Sequence, residues 1–258
     1  MKRLILSLAP FFLSACAMGS AGLGDVERTF HGAYVAFPGE VKARVKTREQ
    51  MTAGPIGGNK SYPVVLYLHG CTGLGKVERA FGAKLAEEGY VFIAPDSMAR
   101  RYRPLQCDPK TQTGGFNRFV FDFRMAEVSY ALDALAQYSW INRDQLFLMG
   151  GSEGGVAAAL YRGDEFSGRI IFQWTCHGAP LVRGLGAPED EPVLAIVNEG
   201  DPWYDEKNTA NQSGHCGEFL QERKSSTSVL MSLGAVHNVL SEKRTEMLIK
   251  NFLDILVD

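Results

Sequence analysis

From about residue 60 the chain alternates between two hydrophobic patterns. The first is a short continuous apolar run, at 63–68, 90–94, 145–149, 169–173, 193–197 and 226–233. Runs of that length with little polar alternation predict strands buried on both sides of a sheet. The second has apolar residues three and four apart. It covers 76–88, with Ala80, Phe81, Leu85 and Ala86 on one side, and 121–138, through Met125, Val128, Ala131, Leu132 and Leu135. Shorter helical stretches fall at 153–161 and 239–256. Strand and helix take turns, which predicts βαβ units, a mainly parallel sheet and helices on both faces, an α/β fold. Upstream, 28–37 and 41–47 alternate in part and predict an antiparallel hairpin. Residues 51–60 are turn-rich, and 96–119 is a long irregular segment. No repeat or low-complexity tract interrupts 28–258, which is expected to be one domain.

The N-terminus carries a different pattern. Met1-Lys2-Arg3 precedes an apolar run at 4–13 and the small residues Ser14-Ala15-Cys16. The run is too short to span a bilayer as a mature helix, so residues 1–15 are expected to be a signal peptide. Leu13-Ser14-Ala15-Cys16 resembles a bacterial lipobox. That resemblance implies cleavage before Cys16, lipid on its sulfur, and a tether over 16–27. Ala15-Cys16-Ala17 also allows ordinary cleavage after Ala17, which would free the protein, and an uncleaved anchor is a third reading.

Composition narrows the class. The chain has 258 residues, 45% hydrophobic and 22% charged, with a formal net charge of -2. These are values of a globular protein, which excludes global disorder. The charge argues against a nucleic-acid partner. Five cysteines is an odd count. Spending or discarding Cys16 leaves Cys71, Cys107, Cys176 and Cys216, an even set expected to form two disulfides in an oxidising compartment. Three connectivities are open. Cys71 and Cys107 lie on loops after neighbouring strands, as do Cys176 and Cys216.

Gly150-Gly151-Ser152-Glu153-Gly154 reads G-x-S-x-G. Alone it could be a glycine-rich turn with a capping serine. Its setting between a predicted strand and a predicted helix is that of a nucleophile elbow, where a tight turn projects the serine oxygen. A serine nucleophile needs a base, and His237 lies between the last strand and the last helix. Asp201 follows the strand at 193–197 and is the candidate acid, with Asp205 and Glu199 as runners-up. An acid there would orient the imidazole and stabilise its charged form. His31, His69, His177 and His215 are expected to be surface or structural histidines, although His177 and His215 sit near the presumed site. No metal or organic cofactor is expected, because such chemistry runs through an acyl-enzyme and water.

The order Ser152, Asp201, His237 matches the α/β-hydrolase order. With H-G-C-T-G-L at 69–74, Y-V-F-I-A-P-D-S at 90–97, N-E-G-D-P-W at 198–203 and G-A-V-H at 234–237, residues 60–258 resemble the dienelactone hydrolase branch of that superfamily. The resemblance implies an oxyanion hole from the backbone N–H groups of Cys71 and Glu153. One departure limits it: the enzyme that names the branch uses a cysteine nucleophile, and this chain has Ser152. The fold and triad carry over; the dienelactone substrate does not.

The expectation is therefore a serine esterase acting on a small-molecule ester in the bacterial cell envelope, joined to a membrane through a lipid anchor. Its oligomeric state is open. Arg100 and Tyr102 are candidate substrate ligands, and Trp203 a candidate pocket wall. A peptidase of the same fold and a non-catalytic envelope binding lipoprotein are the alternatives.

Overall fold

The computed structural model describes residues 24–40, 44–56, 60–103, 107–114, 118–178, 184–204 and 212–257. The expected signal segment, Cys16 and most of the expected tether lie outside them, as does Asp205. The last tether residues are the first turn of a helix, α1 (Asp25–His31).

Eight strands form one sheet: β1 (Tyr34–Ala36), β2 (Arg44–Val45), β3 (Tyr62–Leu68), β4 (Val91–Ala94), β5 (Ile141–Gly151), β6 (Gly168–Phe172), β7 (Val193–Asn198) and β8 (Thr227–Met231). Their order is β2-β1-β4-β3-β5-β6-β7-β8. From β4 to β8 every pairing is parallel; β1 runs antiparallel to both β4 and β2. The predicted hairpin is thus present but short. Its first half folds as α1 because Glu27 closes a capping arrangement at Gly24 and Thr29 and Phe30 bury against the body.

The turn-rich reading of 51–60 also missed a helix, α2 (Arg48–Ala53). Its signal is a capping box: the Thr47 side chain accepts the Gln50 N–H at 3.2 Å, and Gln50 returns the bond at 3.0 Å. The other helices lie where the spacing predicts them: α3 (Lys76–Glu87), α4 (Arg118–Leu135), α5 (Glu153–Leu160) and α6 (Lys243–Val257). No helix among the described residues is long and apolar enough to cross a membrane.

Strand alternation divides the core in two. Val64, Leu66 and Leu68 face α4 and α5, with Val128, Ala131 and Val156. Val65 and Tyr67 face α3 and α6, with Phe81, Leu85, Ile249 and Leu253. Both faces of β3 are therefore dry, which is why its sequence is a continuous apolar run.

Two disulfides close loops on this frame, Cys71–Cys107 and Cys176–Cys216, with sequence separations of 36 and 40. Loops of that size make each bridge worth about 2–4 kcal/mol, chiefly by restricting the unfolded chain.

Candidate active site

In an open parallel sheet, a binding crevice forms beyond the carboxyl ends of the strands. Ser152 directly follows β5, Asp201 lies just past β7, and His237 lies past β8. His237 Nδ1 is 2.7 Å from Asp201 Oδ2, and its Nε2 is 2.9 Å from Ser152 Oγ. These are the two hydrogen bonds that relay base and orienting acid in acyl transfer. Asp201 is buried, and its other oxygen accepts the Trp203 N–H at 3.0 Å. Both carboxylate oxygens are thus held.

The turn at Ser152 is strained, with φ 57 and ψ −122. A non-glycine residue there costs on the order of 1–3 kcal/mol, sustained by the packing around it. That packing needs glycine nearby. A Cβ on Gly150 would lie 2.1 Å from Gly154 O, and one on Gly154 would lie 2.0 Å from Leu68 O. The strand, the turn and the start of α5 can approach only without side chains.

The whole of α5 is buried, and an arginine grips each end. At its C-terminus Arg169 donates to Ala158 O at 2.7 Å and Tyr161 O at 2.5 Å, and pairs with Glu191 at 2.8 Å. A cation there complements the helix dipole. At its N-terminus Arg124, from α4, donates to Glu153 Oε1 at 2.8 Å and to His69 O at 2.9 Å. It also meets Glu127 and the Ser97 hydroxyl. One guanidinium therefore spans the loop after β3 and the residue after Ser152. Burial alone would lower the Arg124 pKa, but the Glu127 and Glu153 carboxylates offset it and the net shift is upward. Burial pushes the Glu153 carboxyl up against the pull of Arg124. The signal in the sequence was a basic and an acidic residue three apart inside an apolar helix.

His69 is fully buried beneath this loop. Its Nε2 accepts the Ser97 N–H at 3.1 Å, which leaves Nδ1 to donate to Gly70 O at 2.7 Å. Burial and then the charge of Arg124 lower its pKa from 6.5 to about 3. An unfolded chain therefore takes up this proton before the folded one does. The stability held by neutral His69 is complete above about pH 6.5 and is lost as pH falls toward 3. In urea unfolding at stepped pH, His69→Gln should flatten that acid limb by up to about 1.4 kcal/mol per pH unit. An unchanged slope would assign the limb to other groups.

Asn198, at the end of β7, was not singled out in the sequence. Its side-chain amide donates to Gly234 O and Val236 O, both at 2.7 Å, and its Oδ1 accepts the Leu233 N–H at 2.9 Å. It ties the His237 loop to the strand that carries Asp201. Tyr204 was missed as well. Its ring lies 6.1 Å from the His237 ring, and its hydroxyl donates to Gln173 O at 2.6 Å.

The cleft in front of Ser152 has a volume of about 100 Å³. Its lining includes Tyr67, Gly70, Cys71, Gln173, Trp203 and Asn238. Trp203 thus stands at the cleft, 5.6 Å from the His237 ring. Cys71 reaches it from the loop after β3, and a Cβ on Gly70 would sit 3.5 Å from Ser152 Cβ. Among the described residues, neither the Cys71 nor the Glu153 N–H has a backbone acceptor.

Arg100 and Tyr102 are not brought to the cleft. Arg100 is buried, donates to Glu127 at 2.9 Å and lies over the Phe123 ring. A carboxylate already owns its charge, so the substrate-ligand reading is corrected. The Tyr102 side chain is exposed, while its N–H donates to Asp25. His177 packs on Phe219, and His215 bonds Ser228 and the Gly217 N–H. Neither lines the cleft. Glu199 is exposed.

The family model of the dienelactone hydrolase family matches residues 50–245. No curated protein sequence matches the chain. Among solved structures, Est1E from Butyrivibrio proteoclasticus is 13% identical with a TM-score of 0.53, covering 87% of this chain and 92% of that one. A phospholipase/carboxylesterase from Dyadobacter fermentans DSM 18053 is 18% identical, TM-score 0.51, covering 75% and 90%. Methylesterase BT1017 is 17% identical, TM-score 0.56, covering 78% of this chain and 50% of its own. At these identities the likeness is one of fold, and the fold is that of the α/β-hydrolases.

Proposed function

The chain belongs to the dienelactone hydrolase family of ester-cleaving hydrolases, and from that premise we propose that it is a serine esterase. The observation that carries this reading is the unbroken pair of hydrogen bonds Asp201–His237–Ser152, at 2.7 and 2.9 Å. In this reading Ser152 Oγ attacks the ester carbonyl as His237 Nε2 takes its proton. The tetrahedral oxyanion is held by the N–H groups of Cys71 and Glu153. His237 returns the proton to the departing alcohol, an acyl-Ser152 remains, and water activated by the same imidazole releases the acid. Asp201 keeps Nδ1 protonated and balances the imidazolium. The positive end of α5 points at the developing charge, and each oxyanion donor is worth about 3–4 kcal/mol in the transition state.

The family's dienelactone substrate is not carried over, because serine stands at the nucleophile position. We further propose that Cys16 carries a lipid that holds the enzyme at a membrane of the cell envelope; metabolic labelling with a fatty-acid probe, lost in Cys16→Ala, tests it.

The test of the chemistry is a labelled fluorophosphonate. Wild type should be labelled covalently at one site and Ser152→Ala should not. A wild-type protein that neither labels nor hydrolyses aryl acetates would leave a binding protein as the reading.

A further inference from the structure

Among the described residues that line the cleft, one has an acidic or basic side chain besides the His237 imidazole. It is Glu78, half-buried in the first turn of α3. An acid three residues into a helix often turns back to cap it. Glu78 Oε2 does lie back against Gly75, where an added Cβ would meet it at 2.6 Å, but no capping hydrogen bond forms there. Its Oε1 instead accepts the Asn238 amide N–H at 3.2 Å. Asn238 is fixed in turn, since its Oδ1 accepts the Leu240 N–H at 3.0 Å.

The consequence is positional. Asn238 adjoins His237, so its bond holds the carboxylate on the imidazole's side of the cleft. That is the side of the departing alcohol, which receives its proton from the imidazole. Among the described residues, no lysine or arginine pairs with Glu78 and no donor reaches its Oε2. Its charge is felt inside the cleft: burial first, and then Glu78, push the Tyr67 phenol well above its ordinary range.

We propose that Glu78 is a specificity residue that makes this cleft select esters whose alcohol part carries a positive charge and reject those whose alcohol part carries a carboxylate. The inference rests on the serine-esterase reading of the same site. A carboxylate at the mouth of a partly desolvated cleft attracts a cation and repels an anion, each by about fivefold in binding at low salt.

Three aryl acetates of similar size test it, with para-trimethylammonium, para-tert-butyl and para-carboxylate substituents on the phenol. The substituents also change leaving-group reactivity, so the readout compares enzymes rather than substrates. The ratio of kcat/KM for the cationic over the anionic ester is measured in wild type and in Glu78→Gln. We expect that ratio to fall by about tenfold or more in the variant, and to shrink with added salt far more in wild type than in the variant. The cationic phenol product should also inhibit wild type more tightly than Glu78→Gln. Turnover with a ratio unchanged within about twofold would overturn the inference and leave the esterase reading standing. No turnover of any of the three esters by wild type would overturn the esterase reading and the inference with it.

Discussion

Replacing Ser152 by alanine should lower kcat/KM for an aryl ester by about ten-thousandfold or more, with the fold intact. The hydroxyl is the atom that forms the new bond, and neither Asp201 nor His237 can substitute for it. Thermal unfolding should hardly move, because the variant loses one hydrogen bond at a half-open site. Glycine at the same position gives a sharper version. It should be equally inactive, yet about 1 kcal/mol more stable than alanine, because only glycine is at ease at φ 57. Steady-state kinetics with calorimetry reads both. Residual activity within tenfold of wild type in Ser152→Ala would remove Ser152 as the nucleophile.

Arg124→Met should be the most damaging single change away from the reacting atoms. It leaves Glu153 buried without its cation and Glu127 with Arg100 alone, a loss of about 3–5 kcal/mol. It also releases His69 O and Gly70 O, the carbonyls through which Arg124 holds the loop before Cys71. Stability and turnover should fall together, and adding Glu153→Gln should restore part of the first but not of the second. The reason is that glutamine removes the orphaned charge without re-anchoring the loop. Urea unfolding and kcat/KM on the single and double variants check this. A loss under about 1 kcal/mol in Arg124→Met would mean the two carboxylates find other partners or protonate freely. The upward shift of the Glu153 carboxyl inclines it toward that protonation already.

Much of this site was legible before any coordinates. Six strands and four helices follow from two hydrophobic periods, because β3 to β7 are buried on both faces and α3 and α6 on one. The candidate triad follows from topology: each member was expected past the carboxyl end of a strand, and few polar residues stand there. What stayed hidden was polar structure inside the apolar pattern. In α4, the apolar spacing through Met125 and Val128 is right, but Arg124 and Glu127 share the buried side with it. Hydrophobic periodicity assigns charges to solvent, so a buried ion cluster is invisible to it. The same bias made Arg100 look like a free basic loop residue, when its partner was an acid in the next helix. Asn198 was passed over because a strand-end amide has no periodicity to betray it. The helices α1 and α2 were missed because each is short and held by its caps and a few buried contacts more than by a full apolar face.

The sheet order has a consequence in time. After β1 and β2 the chain lays down β3, places β4 between β3 and β1, crosses to β5 on the other side of β3, and then walks outward to β8. Ser152 is made early in that walk and His237 at its end, 85 residues later. At elongation rates of about 5–20 residues per second, several seconds separate them. Through that interval the elbow can form with nothing to take its proton. In the serine-esterase reading a chain is thus silent toward esters until the segment after β8 is in place, and any fragment ending before residue 237 should fold toward a hydrolase without becoming one.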